Sequence, residues 1–155
     1  VLSAATAISD DGNIIVGFGT NPEGLTEGWV VNLADAPVPG KQVTIDIKPI
    51  KKTDENVINL KKDRNLKVAI AGDADFDALQ VDPTTVKFGP NEASPTRFKG
   101  KDYNRDGYSD LILTFKLSQT DISCGDTEAT LTGETFPDPV LNITGTDYFT
   151  VEPCR

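Results

Sequence analysis

Residues Asp102-Tyr103-Asn104-Arg105-Asp106-Gly107-Tyr108-Ser109-Asp110 carry oxygen side chains at a spacing that could do chemistry. The pattern is D-x-N-x-D-G-x-x-D. Asp102, Asn104 and Asp106, at the first, third and fifth positions, wrap one side of a hard cation. Gly107 permits the sharp turn, and the Tyr108 carbonyl supplies the seventh position. Asp110, at the ninth, completes the shell directly or through water. The expected cofactor is therefore Ca2+. The competing reading is an acidic turn that binds nothing. Position twelve is Leu113 rather than a glutamate. Leu113 belongs to the apolar face of a strand, so the loop sits between strands and its ion would be a fixed brace.

Other chemistry is sparse. Asp73, Asp75, Asp77 and Asp82 alternate, but Phe76 interrupts them and no glycine stands where a loop would need one. They read as solvated turn acids or as a second ion site. Cys124 and Cys154 form one disulfide or remain two buried thiols; a zinc site would want closer cysteines or histidines. The chain has no histidine, which removes the commonest general base, and neither cysteine has a base beside it. No glycine-rich phosphate loop precedes a helix. Paired carboxylates could serve glycoside hydrolysis, but a small sandwich with one Trp offers little cleft. The expectation is no enzyme and no catalytic residue. Trp29, Tyr103, Tyr108 and Tyr148 are either a stacking platform for glycans or plain turn aromatics.

A formal net charge of −9 repels phosphate backbones and argues against nucleic acid as a partner. No apolar run is long enough to span a bilayer, so no membrane insertion is expected. The cysteine pair favours an oxidising, extracellular setting. A chain that begins at Val1 and contains no Met reads as processed or partial.

The elements that must position these groups are strands. Residues 1–33 read as short strands separated by turns at Asp11-Gly12-Asn13 and Asn21-Pro22-Glu23-Gly24. Residues 34–40, with Pro37 and Pro39, form a stiff linker. From 41 to 155, period-2 alternation dominates. Val43, Ile45 and Ile47 share a face, as do Leu66, Val68 and Ile70, and Leu111, Leu113, Phe115 and Leu117. Ala129 and Leu131 alternate with Thr130 and Thr132. Further strands are expected at 85–88, 96–98 and 148–151, with a helical turn at 75–79. The fold class is all-β: an immunoglobulin-like β-sandwich, with a jelly roll as alternative and a strand-rich N-terminal extension.

Two resemblances follow from particular residues, besides that of the 102–110 loop, which resembles the calcium loops of FG-GAP β-propeller repeats. Val43-Thr-Ile-Asp-Ile-Lys-Pro49, Asn59-Leu60, Val68-Ala-Ile70, Asp75-Phe-Asp-Ala78 and Val81-Asp-Pro-Thr-Thr-Val86 occur in order before the loop. Gly125-Asp-Thr-Glu-Ala-Thr-Leu-Thr-Gly133 and Gly145-Thr-Asp147 follow it. Across 41–155 this series resembles an uncharacterised module of secreted and cell-surface bacterial proteins. The resemblance implies the compartment and the calcium, and no activity. Ala5-Thr-Ala-Ile-Ser-Asp-Asp-Gly-Asn-Ile-Ile-Val-Gly17, continuing to Glu27-Gly-Trp29, is similar to one HAF-type extracellular repeat, a unit that normally occurs in tandem.

A single such repeat has strand edges without a sheet to close them, and open edges recruit partners. Val1, Leu2, Ala4 and Ile8 form the candidate assembly strand; packing of 1–33 on the sandwich is the alternative. A head-to-tail contact of this kind need not close, and then it builds a fibre. The expectation is a secreted bacterial structural protein that self-associates into a filament or surface assembly, braced by calcium and a disulfide. The alternative is a carbohydrate-binding or adhesive module of a larger surface protein.

Overall fold

A computed structural model of the protein describes residues 2–10, 14–32, 40–49, 56–137 and 139–154. The chain divides into two compact units, Val1–Val38 and Pro39–Arg155.

The first unit is an antiparallel meander of β1 (Leu2–Ile8), β2 (Ile14–Thr20) and β3 (Thr26–Asn32), in that order across the sheet. The expected turn at 11–13 lies outside the described residues, but the strands it joins pair with Ile8 opposite Ile15. The second turn closes on Asn21, whose Oδ1 accepts from the amides of Glu23 at 3.0 Å and Leu25 at 2.9 Å. Gly24 there takes φ +83°, which an L side chain rarely adopts. Trp29 lies over Gly17, where a Cβ would come within 2.4 Å of the indole. Three strands enclose little by themselves: among the described residues of this unit only Gly19 is buried.

The second unit is an all-β sandwich. One sheet runs β5 (Ile45–Ile47), β7 (Asn65–Ile70), β10 (Asp110–Lys116), β9 (Arg97–Lys101). The other runs β4 (Gly40–Gln42), β12 (Asn142–Tyr148), β11 (Glu128–Thr135), β8 (Val81–Phe88). A two-stranded ribbon of β6 (Val57–Asn59) and β13 (Thr150–Glu152) completes it. The alternating residues do what the period demands. Leu66, Val68, Ile70, Leu111, Leu113 and Phe115 from one sheet meet Val86, Phe88, Leu131 and Ile143 from the other in one buried cluster. Phe88 and Phe115 touch across the core with ring centroids 5.0 Å apart. Each such side chain contributes roughly 1.5–3 kcal/mol by burial.

Several expectations are corrected. Leu117 leaves the strand and opens a one-turn helix, α1 (Leu117–Thr120), still buried. The strand expected over 148–151 is two, broken at Phe149 between β12 and β13. The helical turn of 75–79 is a 3₁₀ turn at Ala78–Gln80, capped by Asp77 Oδ1 accepting from Leu79 N. Strands β4 and β6 and most of β12 carry no clear alternation and were not expected. Of the expected linker, residues 34–39 lie outside the described residues and Gly40 begins β4.

Candidate functional site

The 102–110 loop joins edge strand β9 to central strand β10, so its geometry is set by two paired strands. Within it, side chains fold back on the backbone that follows them, as Asx turns do. Asp102 accepts from Arg105 N at 2.6 Å through Oδ1 and from Gly107 N at 3.1 Å through Oδ2. Asn104 Oδ1 accepts from Asp106 N, and Asp106 Oδ1 from Tyr108 N. Asn104 Nδ2 donates to Asp106 Oδ2 at 2.7 Å. Arg105 at φ +66° and Gly107 at φ +93° supply the two left-handed residues that curl the loop. Asp102 is half-buried, while Asn104, Asp106 and Tyr108 are exposed.

Asp110 stands apart from this group. It is fully buried, and its oxygens accept from Gly72 N at 3.0 Å and from Tyr103 N at 2.9 Å. The carboxylate thereby staples the start of the loop to the chain leaving β7. Gly72 is required at that point, because a Cβ would lie 2.3 Å from the Ser109 carbonyl oxygen.

As a donor set the loop is all oxygen, which suits a hard cation. Each carboxylate oxygen that accepts one amide keeps a second lone pair. Among the described residues, however, no three His, Cys, Asp or Glu side chains gather closely enough to hold a metal ion. Asp73, Asp77 and Asp82 are turn acids by their contacts, and Asp75 is exposed. Asp73 accepts from Asp75 N, Asp77 from Leu79 N, and Asp82 from both Thr84 N and Thr84 Oγ1. A hollow of about 250 Å³ between Asp73, Asp77 and Leu79 on one side and Gly107 and Tyr108 on the other brings the two acidic segments side by side.

The tyrosines do not form one platform. Tyr108 and Tyr148 are exposed, whereas Tyr103 is half-buried and its hydroxyl donates to Asp46 on β5. Asp46 pairs with Ala69, and Ala69 with Ile112, so these three lie side by side across β5, β7 and β10. Ala69 and Ile112 are buried there although alternation turns them outward. Burial raises the Asp46 carboxyl above its ordinary value, the Tyr103 hydrogen bond opposes that rise, and Asp147 adds to it. Burial and the Asp46 charge push the Tyr103 phenol well above the ordinary tyrosine range.

Sequence reasoning missed Asp147. Its Oδ2 accepts from Ile47 N and Asn56 Nδ2, each at 2.8 Å, and its Oδ1 from Tyr148 N. One carboxylate thus ties β5 of one sheet to β12 of the other. Cys124 and Cys154 are joined in a disulfide, with Cα atoms 5.5 Å apart. Of the candidate assembly strand, Val1 lies outside the described residues and Leu2 is placed in β1. Ala4 is half-buried and Ile8 exposed.

No protein-family model, curated protein or solved structure matches this chain.

Proposed function

We propose that the chain is a secreted, non-enzymatic structural protein, a subunit of an extracellular filament or surface assembly joined through its N-terminal sheet. The observation that carries this reading is the apolar surface of that sheet. Ile8, Ile14, Phe18, Leu25, Val30 and Val31 are all exposed, Val30 by 70% and Ile8 and Leu25 by 62%. Ile8, Ile15 and Val31 share one face by register, and Val16, Val30 and Ala7 the other. Both faces are therefore apolar, and β1 and β3 are edges of the sheet. Apolar surface of this density marks an interface, and an open edge offers its amides and carbonyls to a further strand.

The sandwich would serve as the rigid body of the subunit. Its disulfide supports an oxidising compartment. Calcium held by Asp102, Asn104, Asp106 and the Tyr108 carbonyl, with Asp110 as the ninth-position oxygen, would brace the entry to β10; closing around an ion requires these donors to converge further than their present contacts with the loop amides.

Sedimentation velocity across a concentration series tests the assembly. The chain is expected to form species that grow with concentration. Ile8→Lys combined with Val30→Lys is expected to leave a monomer with an unchanged melting temperature. A wild-type chain that stays monomeric at every concentration refutes the reading.

A further inference from the structure

Charge is unevenly distributed along this chain. Residues 1–38 contain five acidic residues and no Lys or Arg, so all 15 cations lie in the second unit. There, several converge at one end of the sandwich. Arg64, Asn65, Lys116 and Leu117 line a hollow of about 550 Å³. Lys67, Arg97, Asn65 and Lys116 line another of about 370 Å³. Asn65 and Lys116 are common to both, so the two hollows form one groove at the 65/116 end of the paired strands β7 and β10.

The groove has a mixed character. Leu60, Leu117 and Ile122 give the larger hollow an apolar lining, and Arg64 and Lys116 stand beside them. Asp63 is the one acid that lines it, and it is bound to Lys48. Among the described residues that is the only ion pair, so Arg64, Lys67, Arg97 and Lys116 keep their charge for a ligand. The groove asks for an occupant that is anionic at its margins and apolar between them.

The chain itself presents such an element. At the tip of the β2–β3 hairpin, Glu23 and Leu25 of the turn and Glu27, the second residue of β3, are all exposed, so the sequence sets an apolar residue between two acidic ones. We propose that the basic groove is the receptor for the Glu23–Leu25–Glu27 hairpin tip of a second copy. In this contact Leu25 rests on Leu60, Leu117 and Ile122, while Glu23 and Glu27 meet Arg64 and Lys116. The proposal rests on the self-association reading above and deepens it, because it names the surface that receives the N-terminal sheet. Tip and groove are different surfaces, so the contact is heterologous, and successive copies add in one direction.

A charge exchange tests it, read by sedimentation velocity and light scattering on full chains. Glu23→Lys/Glu27→Lys and Arg64→Glu/Lys116→Glu are each expected to weaken assembly by about tenfold or more, the equivalent of about 1.4 kcal/mol. Mixing the two reversed chains is expected to restore association, because each supplies the partner the other lacks. Association of the wild type is expected to weaken with added salt. If the wild type assembles and neither variant changes its assembly constant, the groove assignment fails while the self-association reading stands. If the wild type is monomeric, both fail. If Arg64→Glu/Lys116→Glu loses retention on an immobilised polyuronate but assembles normally, the groove is a site for anionic glycan, and the proposal is overturned. Thermal melts of each variant establish that the sandwich is intact.

Discussion

Replacing Asp110 by asparagine changes one atom of a buried carboxylate and leaves the shape of the side chain intact. In the native protein both oxygens are used, one by Gly72 N at 3.0 Å and one by Tyr103 N at 2.9 Å. An asparagine amide offers a single acceptor, so its NH₂ group must face one of these amides donor to donor. One charge-assisted bond worth about 1.5–3 kcal/mol is lost, and a buried N–H is left unsatisfied at a further cost of about 1–3 kcal/mol. The variant no longer buries an ionised carboxylate, which offsets part of that sum. A net loss of about 2–4 kcal/mol remains, equivalent at this chain length to a fall of roughly 10 °C in melting temperature. The assay is thermal unfolding followed by circular dichroism in chelator, so that no ion contributes. Asp102→Asn is the companion: its carboxylate is half-exposed, and in chelator the variant is expected to melt within a few degrees of wild type. Added calcium is expected to raise the wild-type midpoint and leave Asp102→Asn unmoved; a ligand at a hundred times its Kd contributes about 2.7 kcal/mol. If Asp110→Asn melts with the wild type in chelator and falls behind only when calcium is present, Asp110 acts as an ion ligand alone and the stapling argument is refuted.

Three further outcomes follow from the same geometry. Gly72→Ala places a Cβ 2.3 Å from the Ser109 carbonyl oxygen; it is expected to cost about 1–3 kcal/mol, and its melt combined with Asp110→Asn should be less than additive, since both act on one contact. Tyr103→Phe removes the hydroxyl that donates to Asp46. Because the folded state holds the phenolic proton above the ordinary value of 10.0, the unfolded chain releases it first, so wild-type stability falls as pH rises past that value. The alkaline limb of the stability–pH curve should therefore be shallower in Tyr103→Phe. Replacing both Cys124 and Cys154 by serine opens a loop with a sequence separation of 30 and is expected to lower denaturant stability by about 3–4 kcal/mol.

The core was legible because burial on one face of a strand writes itself as period two. Leu66, Val68, Ile70, Leu111, Leu113 and Phe115 all point inward as their alternation requires. Short strands leave no such record. Gly40-Lys41-Gln42 becomes β4 through register with β12, and no property of three polar residues announces it. Gly145 on β12 is small because a Cβ would lie 2.6 Å from the Val43 carbonyl oxygen, so an inward position that should look apolar is a glycine. Ala69 and Ile112 are buried on the outer face of their sheet, which spacing within one strand cannot show. The same applies to Asp147, whose amide donor on Ile47 is 100 residues away. The loop's donor types and its glycine were readable from sequence, whereas the division between Asp110, buried and fully engaged, and its exposed neighbours needed the fold.

The parallel pairing of β4 with β12 has a mechanical consequence. Gly40 lies opposite Asn142 at the N-terminal end of β12, while the other end, at Tyr148, lies opposite Glu128 on β11, four residues past Cys124 in the chain. Tension between the N-terminal unit and the Cys124–Cys154 staple would pull these two strands past one another along their axes. Their hydrogen bonds then share the load together and do not open in succession like a zipper. Stretched between those two points, the second unit would resist first at the seam of β4 and β12.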